Sequence, residues 1–140
     1  MENCIFCKII KGEIPCAKIY EDEKTFAMLD ISPASKKGGH TLVLPKKHCE
    51  LITDLNDEDS KNLMLTIKKL SKALLKFGEG LNIIQNNKLV AGQVISHVHF
   101  HLIPRFKNDG ISIEKWVANK YKDNKEMDSI ADKIKDLLKE

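Results

Sequence analysis

The chain carries five histidines, and three of them, His97, His99 and His101, alternate within Val94-Ile95-Ser96-His97-Val98-His99-Phe100-His101-Leu102-Ile103. A neutral imidazole is a good nucleophile near neutral pH, and a covalent histidine intermediate divides one hard displacement into two easier ones. Read as an extended segment, the stretch turns Val94, Val98, Phe100 and Leu102 to one side and the three imidazoles to the other. A helix would rotate His99 away from its neighbours. Alternate residues on a strand stand about 6.6 Å apart, so three rings spread over about 13 Å cannot share one atom and must do different jobs. The middle ring, His99, is the candidate nucleophile. Its alignment requires one ring nitrogen held by an acceptor, for which a backbone carbonyl would serve, so that the other lone pair faces the substrate.

A second constellation is Cys4-x-x-Cys7, whose spacing suits two thiolates on one tetrahedral zinc, with His48 after Pro45 as a third ligand and one more needed to close the site. A redox pair is the rival reading of the cysteines, but no βαβ pattern surrounds them. The three alternating histidines as a catalytic metal centre would want a carboxylate or further ligands within a few residues, and none follows. Third comes the polar loop Asn86-Asn87-Lys88-Leu89-Val90-Ala91-Gly92-Gln93. Gly92 permits close backbone approach there, and the N–H groups near Gln93 and Val94 could cradle a phosphate oxygen.

These residues must be positioned by a small frame. At 140 residues and 42% hydrophobic, the chain has room for one domain with a core. The net charge of +3 is interleaved along the sequence without basic blocks, which argues against a nucleic-acid partner. No positive n-region leads an apolar h-region, and no apolar run approaches the roughly 18 residues of a membrane span, so the expectation is a cytoplasmic chain with no membrane attachment. Cys4, Cys7, Cys16 and Cys49 are expected as thiols or metal-bound thiolates, since a core of this size needs no disulfide.

Asn3 is the expected cap of a short helix running to Lys11, with Gly12 as its stop. Residues 18–21 and 25–30 read as a hairpin about the charged turn Asp22-Glu23-Lys24, and His40 to Leu44 as a third strand closed by Pro45. Asn56 with Asp59 opens a long helix whose stripe is Leu63, Ile67, Leu70 and Leu74, stopped by Gly78 and Gly80. Residues 82–86 and 94–103 read as two more strands, and Met127, Ile130, Ile134 and Leu137 mark a C-terminal amphipathic helix. The fold class is α+β: an antiparallel sheet of about five strands with helices on one face.

Gly38-Gly39-His40-Thr41-Leu42-Val43-Leu44-Pro45-Lys46-Lys47-His48, taken with Ala91-Gly92-Gln93 and the run from Val94 to Arg105, closely resembles the histidine triad family over about residues 3–106, most of all its Hint branch. The resemblance implies a homodimer that hydrolyses nucleoside phosphoramidates and related nucleotide esters of AMP or GMP type through a nucleotidyl-histidine. It implies His99 as nucleophile, His101 as the neighbour on the phosphate, and His40 as an outer member of a proton relay. Asp30 then matches the carboxylate on the ribose, Phe6, Ile9 and Ile31 the walls of the base pocket, and Asn86, Gly92, Gln93 and Val94 the groups beside the phosphate. Zinc-bearing relatives nominate Cys4, Cys7, His48 and His97 as the ligands of one structural zinc per chain, with no catalytic metal. Val94 stands where animal-type members have a serine, Met28 replaces an aromatic pocket residue, and the lysine-rich helical extension, about residues 108–140, departs from the short family ending. A dinucleoside polyphosphate hydrolase and a nucleotide-binding scaffold acting through its tail are the rival functions.

Overall fold

Strand-forming residues alternate between two faces here, and each face finds its own cover. In the computed structural model, which describes residues 3–140, the strands β1 (Lys18–Glu21), β2 (Thr25–Leu29), β3 (Thr41–Pro45), β4 (Gly80–Gln85) and β5 (Phe100–Arg105) form one antiparallel sheet of order β1-β2-β3-β5-β4. Ala27, Val43 and Leu102 pack against Leu63, Ile67 and Leu70 of the long helix α2 (Asp57–Phe77). Phe26, Met28, Leu42 and Leu44 point the opposite way and meet Phe6 of the short helix α1 (Ile5–Ile10). The helices therefore lie on both faces, not on one as the strand order suggested. Only a period-two reading of β2 and β3 against each other exposes the second face.

Local chemistry sets the element ends. The Asn56 side chain accepts the Asp59 N–H at 2.8 Å and starts α2, and Gly78 caps its far end. The cap of α1 is Cys4, not Asn3: its Sγ accepts the Cys7 N–H at 3.4 Å. α1 is also shorter than expected, six residues.

The expected strand over residues 94–103 is regular only from Phe100. Before it the His97 N–H bonds back to the Ile95 carbonyl at 2.9 Å, a tight turn that breaks the alternation. Val94 consequently leaves the core row and is 82% exposed, whereas Val98 and Leu102 are fully buried. The C-terminal helix α3 (Asn124–Leu138) forms as its periodicity predicts, but every residue from Ser112 onward is exposed, its apolar stripe of Met127, Ile130, Ile134 and Leu137 included. No helix among those residues is long and apolar enough to cross a membrane.

Candidate functional site

The side chains singled out from the sequence separate into two neighbouring groups. Phe6, Ile9, Asp30, Ile31, Gly92, Val94, His99 and His101 line one cavity of about 480 Å³. Cys4, Cys7, His48 and His97 converge beside it, their ligand atoms all within 4.8 Å of one another. His40 stands behind His101, and Asn86 lies against Gly92.

Hydrogen bonds assign the proton on each imidazole of the triad region. The His99 Nδ1 lies 2.7 Å from the His97 carbonyl, which can only accept, so Nδ1 carries the hydrogen and Nε2 keeps a lone pair. His97 Nε2 likewise donates to the Pro45 carbonyl at 2.8 Å, leaving Nδ1 as its lone pair. His40 runs the other way: the Ala34 N–H donates to its Nδ1 at 3.0 Å, so its Nε2–H donates to His101 Nδ1 at 2.9 Å. His101 then carries its hydrogen on Nε2. The pair of rings facing the cavity is thus one acceptor, His99, beside one donor, His101, with ring centroids 5.0 Å apart.

Burial favours the neutral forms of His40 and His101. Desolvation first, then the neighbouring His99 and His40, push His101 down to about 4, and burial likewise lowers His40 against the opposing pull of Asp30. The Asp30 Oδ2 is 3.6 Å from His40 Nε2, and its Oδ1 accepts the Ser32 N–H at 2.8 Å.

The two candidate metal clusters differ in what their nitrogens present. His97 offers a lone pair on Nδ1 at 3.4 Å from Cys4 Sγ and 3.6 Å from Cys7 Sγ, and His48 Nδ1 lies 3.3 Å from Cys7 Sγ. A tetrahedron with Zn–S near 2.3 Å and Zn–N near 2.0 Å has S···N edges of about 3.5 Å, which these three distances match. Asp30, His40 and His101 also approach one another, but there the Ala34 amide leaves a hydrogen on the nitrogen that would have to bind. The first cluster suits a cation; the second suits hydrogen bonding. Burial raises the Cys7 thiol, with Cys4 adding to the effect, and all four cysteines are unpaired.

Gln93 is placed differently from a phosphate contact. Buried, it accepts the Lys88 N–H on Oε1 at 2.7 Å and donates from Nε2 to the Glu50 carbonyl at 2.7 Å, and its own N–H goes to the Lys88 carbonyl at 3.1 Å. It is a strut of the loop, and Gly92, at φ +96°, carries that loop into the cavity. Sequence reasoning missed Cys16 and Leu42 in the lining. Leu42 was accessible to it, because it faces Met28 across the β2–β3 register.

A family model described as HIT domain matches residues 11–108. The chain belongs to the HIT family. Among curated HIT relatives, the adenosine 5'-monophosphoramidase hnt1 of Schizosaccharomyces pombe is 47% identical over 103 residues, 74% of this chain and 74% of that one. The crystal structure of SMU.412c from Streptococcus mutans superposes with a TM-score of 0.90 at 41% identity, covering 99% of this chain and 87% of that chain. A zinc-bound histidine triad family protein from Mycobacterium smegmatis superposes at 0.73 with 32% identity, covering 89% and 87%. The α+β fold with its five-stranded antiparallel sheet is that of HIT structures.

Proposed function

We propose that this HIT protein is a nucleotide hydrolase that cleaves phosphoramidates, and related esters, at the α-phosphorus of a purine mononucleotide. The observation that carries the reading is the acceptor–donor pair in the cavity lining: His99 with its Nε2 lone pair and His101 with its Nε2–H. The base lies among Phe6, Ile9 and Ile31, Asp30 takes the ribose hydroxyls, and Asn86, Gly92 and the Val94 amide face the phosphate. His99 attacks phosphorus and expels the amine, and water then releases the nucleotide from the histidine. His101, oriented by His40, donates to the phosphoryl oxygen on which charge develops. The named activity of the S. pombe relative supports the substrate class. Turnover of an adenosine phosphoramidate by wild type and by His99→Ala is the test: a loss of about a thousandfold or more is expected, and an active variant refutes the assignment. Preference for a dinucleoside tetraphosphate in a parallel assay would move the reading to the other branch of the family.

Cys4, Cys7, His48 and His97 would hold one structural zinc, supported by their donor geometry and by the zinc-bound M. smegmatis relative. Bound there, the ion would fix the N-terminal segment to the triad segment and take no part in the phosphorus chemistry. Elemental analysis should find about one zinc per chain. We place the chain, a single HIT domain with a helical extension, in the cytoplasm, where its four thiols stay reduced. We also read it as a homodimer, since the open apolar stripe of α3 is surface that a second copy would cover.

A further inference from the structure

A six-residue helix scarcely repays its own nucleation in water, so α1 depends on what ties it down. Its ties are the buried Phe6 and the two sulfurs, Cys4 at its cap and Cys7 in its first turns, which face the Nδ1 atoms of His97 and His48. The same helix supplies Ile5, Phe6 and Ile9 to the cavity wall. Across from it, His97 is engaged at three points: its Nδ1 meets the sulfurs, its Nε2–H meets Pro45, and its carbonyl holds the Nδ1–H of His99. Phe6 stands edge-on to both rings, 6.0 Å from His97 and 5.1 Å from His99 between centroids. One residue thus joins the sulfur cluster to the imidazole that faces the cavity, and one helix is wall to both.

We propose that a divalent metal on Cys4, Cys7, His48 and His97 and a nucleotide in the adjoining cavity bind with positive linkage, each fixing α1 against the triad segment for the other. The proposal deepens the reading above and rests on both its nucleotide site and its zinc site. His97 is the positioning residue in this arrangement. A ligand bond at Nδ1 fixes its ring, the ring fixes its carbonyl, and the carbonyl sets the direction of the His99 lone pair. Linkage between two binding events is reciprocal, so the factor by which metal tightens nucleotide must equal the factor by which nucleotide tightens metal. Couplings of this kind run from about 5-fold to about 150-fold, and α1 is one wall among several, which sets the expectation at about tenfold.

The test begins from chain loaded with one equivalent of zinc and verified by elemental analysis. AMP affinity is measured by calorimetry on loaded and chelator-stripped chain, and zinc affinity by equilibrium competition with a chromophoric chelator, with and without saturating AMP. Roughly tenfold tighter AMP binding to loaded chain, matched by the same gain in zinc affinity, is expected, together with a shift of the His99 imidazole nitrogen resonances on stripping. Equal AMP affinity in folded loaded and stripped chain overturns the linkage while leaving both sites standing. Loaded chain that binds no AMP removes the nucleotide reading and the linkage with it; chain that takes up no zinc removes the metal site and the linkage with it. If stripping unfolds the protein, His48→Ala, which drops one ligand from outside α1 and the triad segment, takes its place. Zinc titrated into that variant, to full occupancy verified by elemental analysis, must raise its AMP affinity, and a flat response at that occupancy overturns the proposal.

Discussion

His101 presents its donor only because the Ala34 amide, acting through His40, leaves it no other tautomer. A hydrogen bond that strengthens as charge grows on the phosphoryl oxygen accelerates the step more than it tightens binding. His101→Ala is therefore expected to lower kcat by about a hundredfold with a smaller change in KM, read from steady-state kinetics. Burial also ties this ring to acid stability. In the folded chain His101 titrates at about 4, against an ordinary histidine value near 6.5 when unfolded. As pH falls below about 6.5 the unfolded chain takes up the proton first, so stability is full above that value, declines towards pH 4, and from this group falls no further below it. The lowered His40 acts in the same direction. Urea midpoints measured between pH 7 and pH 4 should fall in that window, and His101→Asn should flatten part of the decline.

The loop from Asn86 to Gly92 has little hydrophobic anchorage, for Leu89 and Val90 are almost wholly exposed. Its hold on the body is polar: the Gln93 strut to Glu50 and the Asn87 side chain accepting the Ile52 N–H at 2.9 Å. With the phosphate placed at the loop and the base at α1, as proposed, Gln93→Ala is expected to weaken AMP binding while leaving adenosine binding nearly unchanged. Equal losses for both ligands in calorimetry would place Gln93 in the fold alone. Gly92→Ala is expected to cost about 1–2 kcal/mol, since the φ of +96° is one that a Cβ resists. The elements themselves were legible: the caps at Asn56 and Gly78 and the stripe of α2 are local signals that survive folding. The path through residues 94–99 was not. The alternation of histidines there imitates a strand, while the actual course is set by distant carbonyls, Pro45 holding the His97 ring and Cys49 taking the Val98 N–H at 2.8 Å. That the triad histidines gather at one place was readable from residue types and spacing, whereas their tautomers depend on partners such as Ala34 and Pro45 that carry no chemical signature in sequence.

Taken as a whole, the molecule is a two-faced sheet with a projecting tail. Arg105 fastens the start of that tail, pairing with Asp109 at 2.8 Å, with Glu114 at 2.8 Å, and with the Ile111 carbonyl. Beyond Glu114 no residue is buried. Truncation after Lys115 is expected to leave the melting temperature of the body within a few degrees of the full chain. If α3 seats on a second copy, the same truncation shifts the sedimenting species towards monomer; an unchanged distribution would assign the contact elsewhere. β3 has a different long-range role. His40 immediately precedes it and Pro45 ends it, so its two ends carry the hydrogen bonds that hold the His101 ring and the His97 ring. The strand works as a ruler between them. Adding or removing one residue would displace one end by about 3.3 Å, more than a hydrogen bond tolerates, and would also turn the remaining side chains to the wrong face. Conservative substitutions within Thr41–Leu44 should thus be absorbed, whereas a change in its length should silence the enzyme even in a chain that still folds.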